Sequence, residues 1–203
     1  MRLLVATRSR GKLGELTALL APLGYELFDL AEAGIARRPE EDSVECFDTF
    51  EANALAKARY FAPSSGGAPV IADDSGLVVT ALGGQPGVRS KRWSERSDLE
   101  GYALDAANNA KLLAALAGAP DRSARFVSVV ALLADGREVL ARGECAGEIL
   151  QSPRGEDGFG YDPLFYSPEL GKTFAEASSL EKSRVSHRGR ALQALIERLG
   201  ERH

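Results

Sequence analysis

The sequence predicts an α/β fold built on a mixed β-sheet, on three observations. Short apolar runs alternate with segments whose leucines and alanines recur at helical spacing. A β-branched stretch, Phe126 to Ala134, is followed by Asp135-Gly136 and a second stretch, Glu138 to Ile149, the pattern of a hairpin inserted in that alternation. The chain has 203 residues, 44% apolar and 27% charged, which suits one soluble domain with a core large enough to need no staple.

The elements follow in order. Leu3-Leu4-Val5-Ala6 reads as a buried strand, and the polar turn Thr7-Arg8-Ser9-Arg10-Gly11-Lys12 leaves it. Leu13, Leu16, Leu19, Leu20 and Leu23 then mark a helix that Gly24 ends. Tyr25 to Leu30 is a second strand, and the acidic, Pro-containing stretch from Ile35 to Phe47 is a loop. Thr49 to Phe61 is a helix with Phe50, Ala54, Ala58 and Phe61 on one face. Val70-Ile71-Ala72 is a short strand running into Asp73-Asp74-Ser75-Gly76, with Leu77 to Leu82 as its continuation. Leu99 to Leu116 is a helix, and Ser152 to Pro163 is a Gly- and Pro-rich loop. The last helix runs from about Ser186 to Leu199, with Ala191, Leu192, Leu195, Ile196 and Leu199 inward.

Charge and composition exclude several classes. With 25 Lys+Arg against 29 Asp+Glu the formal charge is −4, and the pI is near 5.4, so a general nucleic-acid surface is not expected. No apolar run reaches the roughly 18–20 residues of a membrane span, and the first residues do not form a signal peptide. Cys46 and Cys145 match no metal-ligand spacing and read as reduced thiols of a cytoplasmic protein.

Four segments carry candidate chemistry. The turn Thr7 to Lys12 enters a helix, where free N–H groups and the positive end of the helix dipole suit a phosphate, with Lys12 adding a point charge. It is not a P-loop, because Ala6 and Leu13 stand where glycine and Ser or Thr would be needed. An ordinary βα turn with a solvated lysine is the alternative. Asp73 and Asp74 are adjacent carboxylates at a strand end, an arrangement that calls for a cation such as Mg²⁺ or for hydrogen-bond donors. A simple Asx turn would also use Asp-x-Ser-Gly. In Gly158-Phe159-Gly160-Tyr161-Asp162-Pro163, two glycines flank an aromatic face on which a purine can stack, or whose ring packs on the core. Finally, Glu181-Lys182-Ser183 precedes Ser186-His187-Arg188-Gly189, where Ser186 is a natural N-cap. Positive side chains in a first helical turn oppose the dipole, which suggests another use for His187 and Arg188. The other histidine, His203, is the last residue.

Together these segments resemble the inosine/xanthosine triphosphate pyrophosphatase family from Leu4 to Leu195. The most specific marks are Ala72-Asp73-Asp74-Ser75-Gly76-Leu77, Phe159-Gly160-Tyr161-Asp162-Pro163 and Ser186-His187-Arg188-Gly189, supported by Thr49-Phe50, Asn53-Ala54 and Lys57-Ala58. The resemblance implies one domain over residues 1–203, with a long mixed sheet flanked by helices and two lobes with a nucleotide cleft between them. It implies a homodimer, Mg²⁺, and hydrolysis of ITP, dITP and XTP to monophosphate and pyrophosphate. Residue by residue, it assigns Thr7, Arg8, Ser9, Arg10, Gly11 and Lys12 to the triphosphate, Asp74 to proton acceptance and metal binding with Asp73 beside it, and Glu45 to the metal. Asn53, Lys57, Ser75, Phe159, Gly160, Tyr161, Asp162, Lys182, His187 and Arg188 are expected to contact the nucleotide. The family's first turn usually reads Thr-Gly-Asn; here Ser9 is shorter, and Arg8 is an added cation expected to compensate.

The chemistry that fits these residues is attack of water on the α-phosphorus, with Lys12, Lys57 and Lys182 neutralising the phosphates. Arg188 and nearby backbone N–H groups are expected to suit a 6-keto oxygen and to leave a 6-amino group unpaired. Two rivals remain at this point. A septum-formation-type nucleotide pyrophosphatase also opens with a strand, a basic turn and a helix, but lacks the Ser-His-Arg-Gly and Phe-Gly-Tyr-Asp marks. A non-catalytic nucleotide sensor could keep Lys12 and Phe159 without tandem aspartates.

Overall fold

The structure, a computed structural model, describes residues 2–200, so His203 lies outside it. Its strands are β1 (Arg2–Val5), β2 (Glu26–Asp29), β3 (Val70–Val79), β4 (Ser123–Ala134), β5 (Arg137–Ile149), β6 (Phe165–Ser167) and β7 (Lys172–Thr173). Its α-helices are α1 (Arg10–Leu20), α2 (Phe50–Phe61), α3 (Gly101–Ala115), α4 (Ser179–Val185) and α5 (His187–Gly200). The strands form one mixed sheet in the order β2-β1-β3-β4-β5-β6-β7, parallel for β2, β1 and β3 and antiparallel for β5, β6 and β7. Among the described residues no helix is long and apolar enough to cross a membrane.

The chain divides into two compact units. Among the described residues, the first comprises 2–74, 128–143 and 188–200; the second comprises 75–127 and 144–187. Each has its own core. In the first, Leu3, Val5 and Ile71 pack with Leu16 and Leu20 of α1 and with Ala191, Leu192 and Leu195 of α5. In the second, Leu112 and Leu116 pack with Phe126, Tyr161, Phe165 and Phe174.

Several expectations are corrected. The tandem aspartates are not at a strand end: β3 runs through them to Val79. The strand tolerates them because side chains and helix-borne cations, described below, occupy both carboxylates. Gly76 allows the strand to continue, since a Cβ there would meet the Gly87 carbonyl at 2.2 Å and Ser90 Oγ at 2.5 Å. The acidic stretch holds a 3₁₀ turn, Pro39–Ser43, rather than being all loop. Helix α1 starts at Arg10, so Arg10, Gly11 and Lys12 are its first turn. Ile196, expected inward, is exposed, as is Leu23, read as the last leucine of the first helix. The short strands β6 and β7 and helix α4 carry too few residues to show a period. Asp135 and Gly136, with φ of +50° and +71°, make the expected two-residue turn.

Candidate active site

In the first unit, α2 builds the site. Its buried stripe is Phe50, Asn53, Ala54, Lys57, Ala58 and Phe61, so an amide and an ammonium share the face that packs inward. Thr49 caps the helix, its Oγ1 accepting from Ala52 N–H at 3.2 Å. Asn53 Nδ2 donates to Asp74 Oδ2 at 3.0 Å and to the Phe47 carbonyl at 3.1 Å, while its Oδ1 accepts from Phe47 N–H at 2.9 Å. One side chain therefore orients Asp74 and anchors the segment that carries Glu45. Lys57 Nζ donates to Glu45 Oε1 and to the Asp73 carbonyl, both at 2.5 Å.

Asp73 and Asp74 face different surroundings, as alternation along a strand requires. Asp73 is fully buried; its Oδ2 accepts from Arg188 Nε at 3.1 Å and Nη2 at 3.0 Å and lies 3.3 Å from Lys12 Nζ. Arg188 Nη1 donates to Glu15 on α1. Burial works to raise the Asp73 carboxyl, but Lys12, Arg188 and Lys57 hold it far below the usual carboxylate range. Asp74 is pushed the other way. Burial raises it, Lys12 and Lys57 oppose that, and the Glu45 charge adds to the rise. Burial lowers the Lys12 ammonium, whereas Lys57 ends above its ordinary value because Glu45, Asp73 and Asp74 outweigh its burial. Asp73 is thus a fixed anion, and Asp74 is the carboxylate with the greater appetite for a proton or a cation.

These residues fit Mg²⁺. Counted as charged, Lys12, Lys57 and Arg188 against Glu15, Glu45, Asp73 and Asp74 leave the centre one negative charge in excess. Glu45 and Asp74 are hard oxygen donors that repel each other, a cost a divalent cation relieves. Among the described residues no group of three or more His, Cys, Asp or Glu could hold a metal ion, so an ion on Glu45 and Asp74 would need further oxygen ligands from outside the chain. Upstream, Glu41 is engaged with Arg8, whereas Glu45 stands with Lys57.

The phosphate turn is only partly as expected. Ser9 Oγ caps α1 by accepting from Lys12 N–H at 3.4 Å, and Thr7 Oγ1 accepts from Ser9 N–H at 3.2 Å. Arg8, expected to compensate for the short Ser9, instead forks onto Glu41 at 2.8 and 3.0 Å and donates to the Ile35 carbonyl at 3.0 Å. Its fork geometry matches a carboxylate, and Glu41 lies within reach. Arg10 is exposed, and Gly11 is half-buried beside it.

The remaining candidates belong to the second unit, except Arg188. Ser75 is half-buried on β3. Asp162 Oδ2 accepts from Phe159 N–H at 2.9 Å and from Lys182 Nζ at 2.5 Å, and a Cβ on Gly158 would meet that oxygen at 2.2 Å. Lys182 Nζ stands 5.0 Å from the Phe159 ring centroid, with that ring half-exposed. Tyr161 is buried, its hydroxyl donating to the Ser90 carbonyl at 2.8 Å. His187 is buried and stacks on Phe126, centroids 4.7 Å apart and planes 14° from parallel. Arg188, expected at the base edge, has Nε, Nη1 and Nη2 each donating to a carboxylate, and those carboxylates also offset its unfavourable place at a helix start. Glu15 was missed, although Lys12 and Glu15 share one face of α1 at a spacing of three.

The Ham1 family model matches residues 3–198. A dITP/XTP pyrophosphatase of Ralstonia nicotianae is 47% identical over 201 residues, covering 98% of this chain and 96% of that protein. One of Thermus thermophilus is 48% identical over 200 residues, covering 97% and 91%. Among solved structures, the Staphylococcus aureus Ham1 protein matches with a TM-score of 0.81 at 35% identity, covering 100% of both chains. The dITP/XTP pyrophosphatase of Mycobacterium abscessus matches with a TM-score of 0.71 at 44% identity, covering 98% and 100%. Matched almost end to end in sequence and fold, the chain belongs to the Ham1 family.

Proposed function

We propose that this protein hydrolyses non-standard purine nucleoside triphosphates, ITP, dITP and XTP, to the monophosphate and pyrophosphate. The observation that carries the reading is Asp74: a buried carboxylate, oriented by Asn53 and raised in proton affinity, within the field of Lys12, Lys57 and Glu45. The names of the relatives, dITP/XTP pyrophosphatases at 47% and 48% identity, point to two of these substrates, dITP and XTP.

In this reading Asp74 accepts the proton of the water that attacks the α-phosphorus. A base whose pKa is raised toward the working pH is better matched to that task than an ordinary aspartate. Lys12 and Lys57 bring positive charge to the phosphates, and Asp73, pinned by Arg188, keeps both ammonium groups in place through its carboxylate and carbonyl. Glu45 and Asp74 would hold Mg²⁺, which when bound supplies charge neutralisation and polarises phosphate oxygens. Phe159 offers the stacking face for the purine. A homodimer is part of the proposal, and light scattering on the purified protein tests it.

Pyrophosphate release from ITP, dITP, XTP, ATP and GTP, with Mg²⁺ titrated and with EDTA as control, tests the function. We expect pyrophosphate from the first three, far slower release from ATP and GTP, and none in EDTA. Orthophosphate as the product would reject the reaction. Binding of ITP without turnover would return the non-catalytic sensor.

A further inference from the structure

Helix α3 carries Asp105 and Asn109 four residues apart, hence on one face. Asp105 Oδ2 accepts from Gly160 N–H at 2.8 Å, and Asn109 Nδ2 donates to the Gly160 carbonyl at 2.9 Å. Gly160 holds a φ of +63°. On the other side of Phe159, its own N–H donates to Asp162 Oδ2 at 2.9 Å. Both peptide groups flanking the Phe159 Cα are therefore bonded to carboxylates, one from within the loop and one from α3. Burial raises the Asp105 carboxyl above its ordinary value despite the Gly160 bond and the Lys91 charge. Keeping a carboxylate at this position has a cost that packing does not require. None of these contacts was visible in the sequence.

We propose that Asp105 and Asn109 are positioning residues for base recognition. From α3 they fix the backbone on the C-terminal side of Phe159, so that its half-exposed ring is held ready before a nucleotide arrives. A loop ordered in advance does not lose that freedom on binding, so the gain falls on affinity and not on the chemical step. The inference rests on the reading that Phe159 stacks on the base.

The test is a double-mutant cycle in the full chain, with kcat and KM measured on ITP. Asp105→Ala should raise KM about tenfold, the effect of losing one charge-assisted hydrogen bond, with kcat changed by less than about twofold. Asp105→Asn, whose amide oxygen can still accept from Gly160 N–H, should recover most of that loss. In a Phe159→Ala background, Asp105→Ala should add less than about twofold, since its effect acts through the ring. An equal factor in both backgrounds, a fall in kcat at constant KM, or an Asp105→Asn variant as poor as Asp105→Ala would each overturn the proposal. If Phe159→Ala leaves KM unchanged, the stacking reading fails and this inference falls with it. If Phe159→Ala raises KM and Asp105→Ala does not, this inference alone falls. Should Asp105→Ala not fold by circular dichroism, Asn109→Ala, which removes only the tie to the carbonyl, takes its place in the cycle under the same criteria.

Discussion

Arg188 and Asp73, 115 positions apart in the chain, meet with two guanidinium N–H groups on one carboxylate oxygen, at 3.1 and 3.0 Å, and neither side chain is exposed. The pair ties the start of α5 to β3 inside the first unit, with Glu15 as the second anion on the same guanidinium. Arg188→Met would leave Asp73 and Glu15 facing a lost charge, which for a buried pair costs about 3–5 kcal/mol. A clear fall in melting temperature is expected. Because Arg188 acts through Asp73, turnover of ITP and ATP should fall by the same factor. A selective loss on ITP would return Arg188 to the base edge.

Asp74→Asn should keep the fold and lower turnover by about 10²–10⁴-fold, the usual contribution of a general base. Its stability effect has a definite sign. The folded carboxyl is raised by burial and by Glu45, so its contribution is fully present below the ordinary carboxylate pKa and is lost as pH rises through the raised value. In EDTA the melting temperature of Asp74→Asn relative to the native protein should therefore increase from acidic to neutral pH. Mg²⁺ should raise the native melting temperature more than that of the variant. A difference that is flat with pH would remove Asp74 from the role of strained carboxylate.

The alternation of strands and helices was legible because apolar spacing records burial directly. Phe50, Ala54, Ala58 and Phe61 predicted the inward face of α2, and that same stripe carries Asn53 and Lys57 into the site. What each polar residue touches was not legible, since that depends on neighbours far along the chain. Asp73 and Asp74 look alike in sequence. They part only because β3 turns one toward Arg188 and Lys12 and the other toward Asn53. Arg8 read as a phosphate cation because Glu41, 33 residues on, had no visible link to it. The stacking of His187 on Phe126 was likewise out of view.

Arg8→Ala tests the phosphate role expected of that cation. A partly exposed ion pair such as Arg8–Glu41 contributes about 1 kcal/mol or less, so stability should change little. With its guanidinium engaged by Glu41 and the Ile35 carbonyl, removal should leave KM for ITP within about twofold. A rise in KM well above that, common to ITP and XTP, would restore Arg8 to the phosphates.

Lys12 is the cation for which the phosphate role makes the sharpest demand. It lies in the first turn of α1, its N–H is capped by Ser9, and its Nζ stands 3.3 Å from the buried Asp73 carboxylate. Burial lowers its pKa, so the ammonium depends on Asp73 and Asp74 to stay charged, and a bound polyphosphate would favour the charged form further. A point charge on a flexible stem recognises charge density and not a base edge. Lys12→Ala should therefore weaken kcat/KM for ITP, dITP and XTP by a common factor of about 10- to 100-fold, the range for losing one hydrogen bond to a charged group. Asp73 retains Arg188 in the variant, so the fold should survive. If the ITP to XTP ratio shifts several-fold instead, Lys12 reads the base and the polyphosphate lies elsewhere.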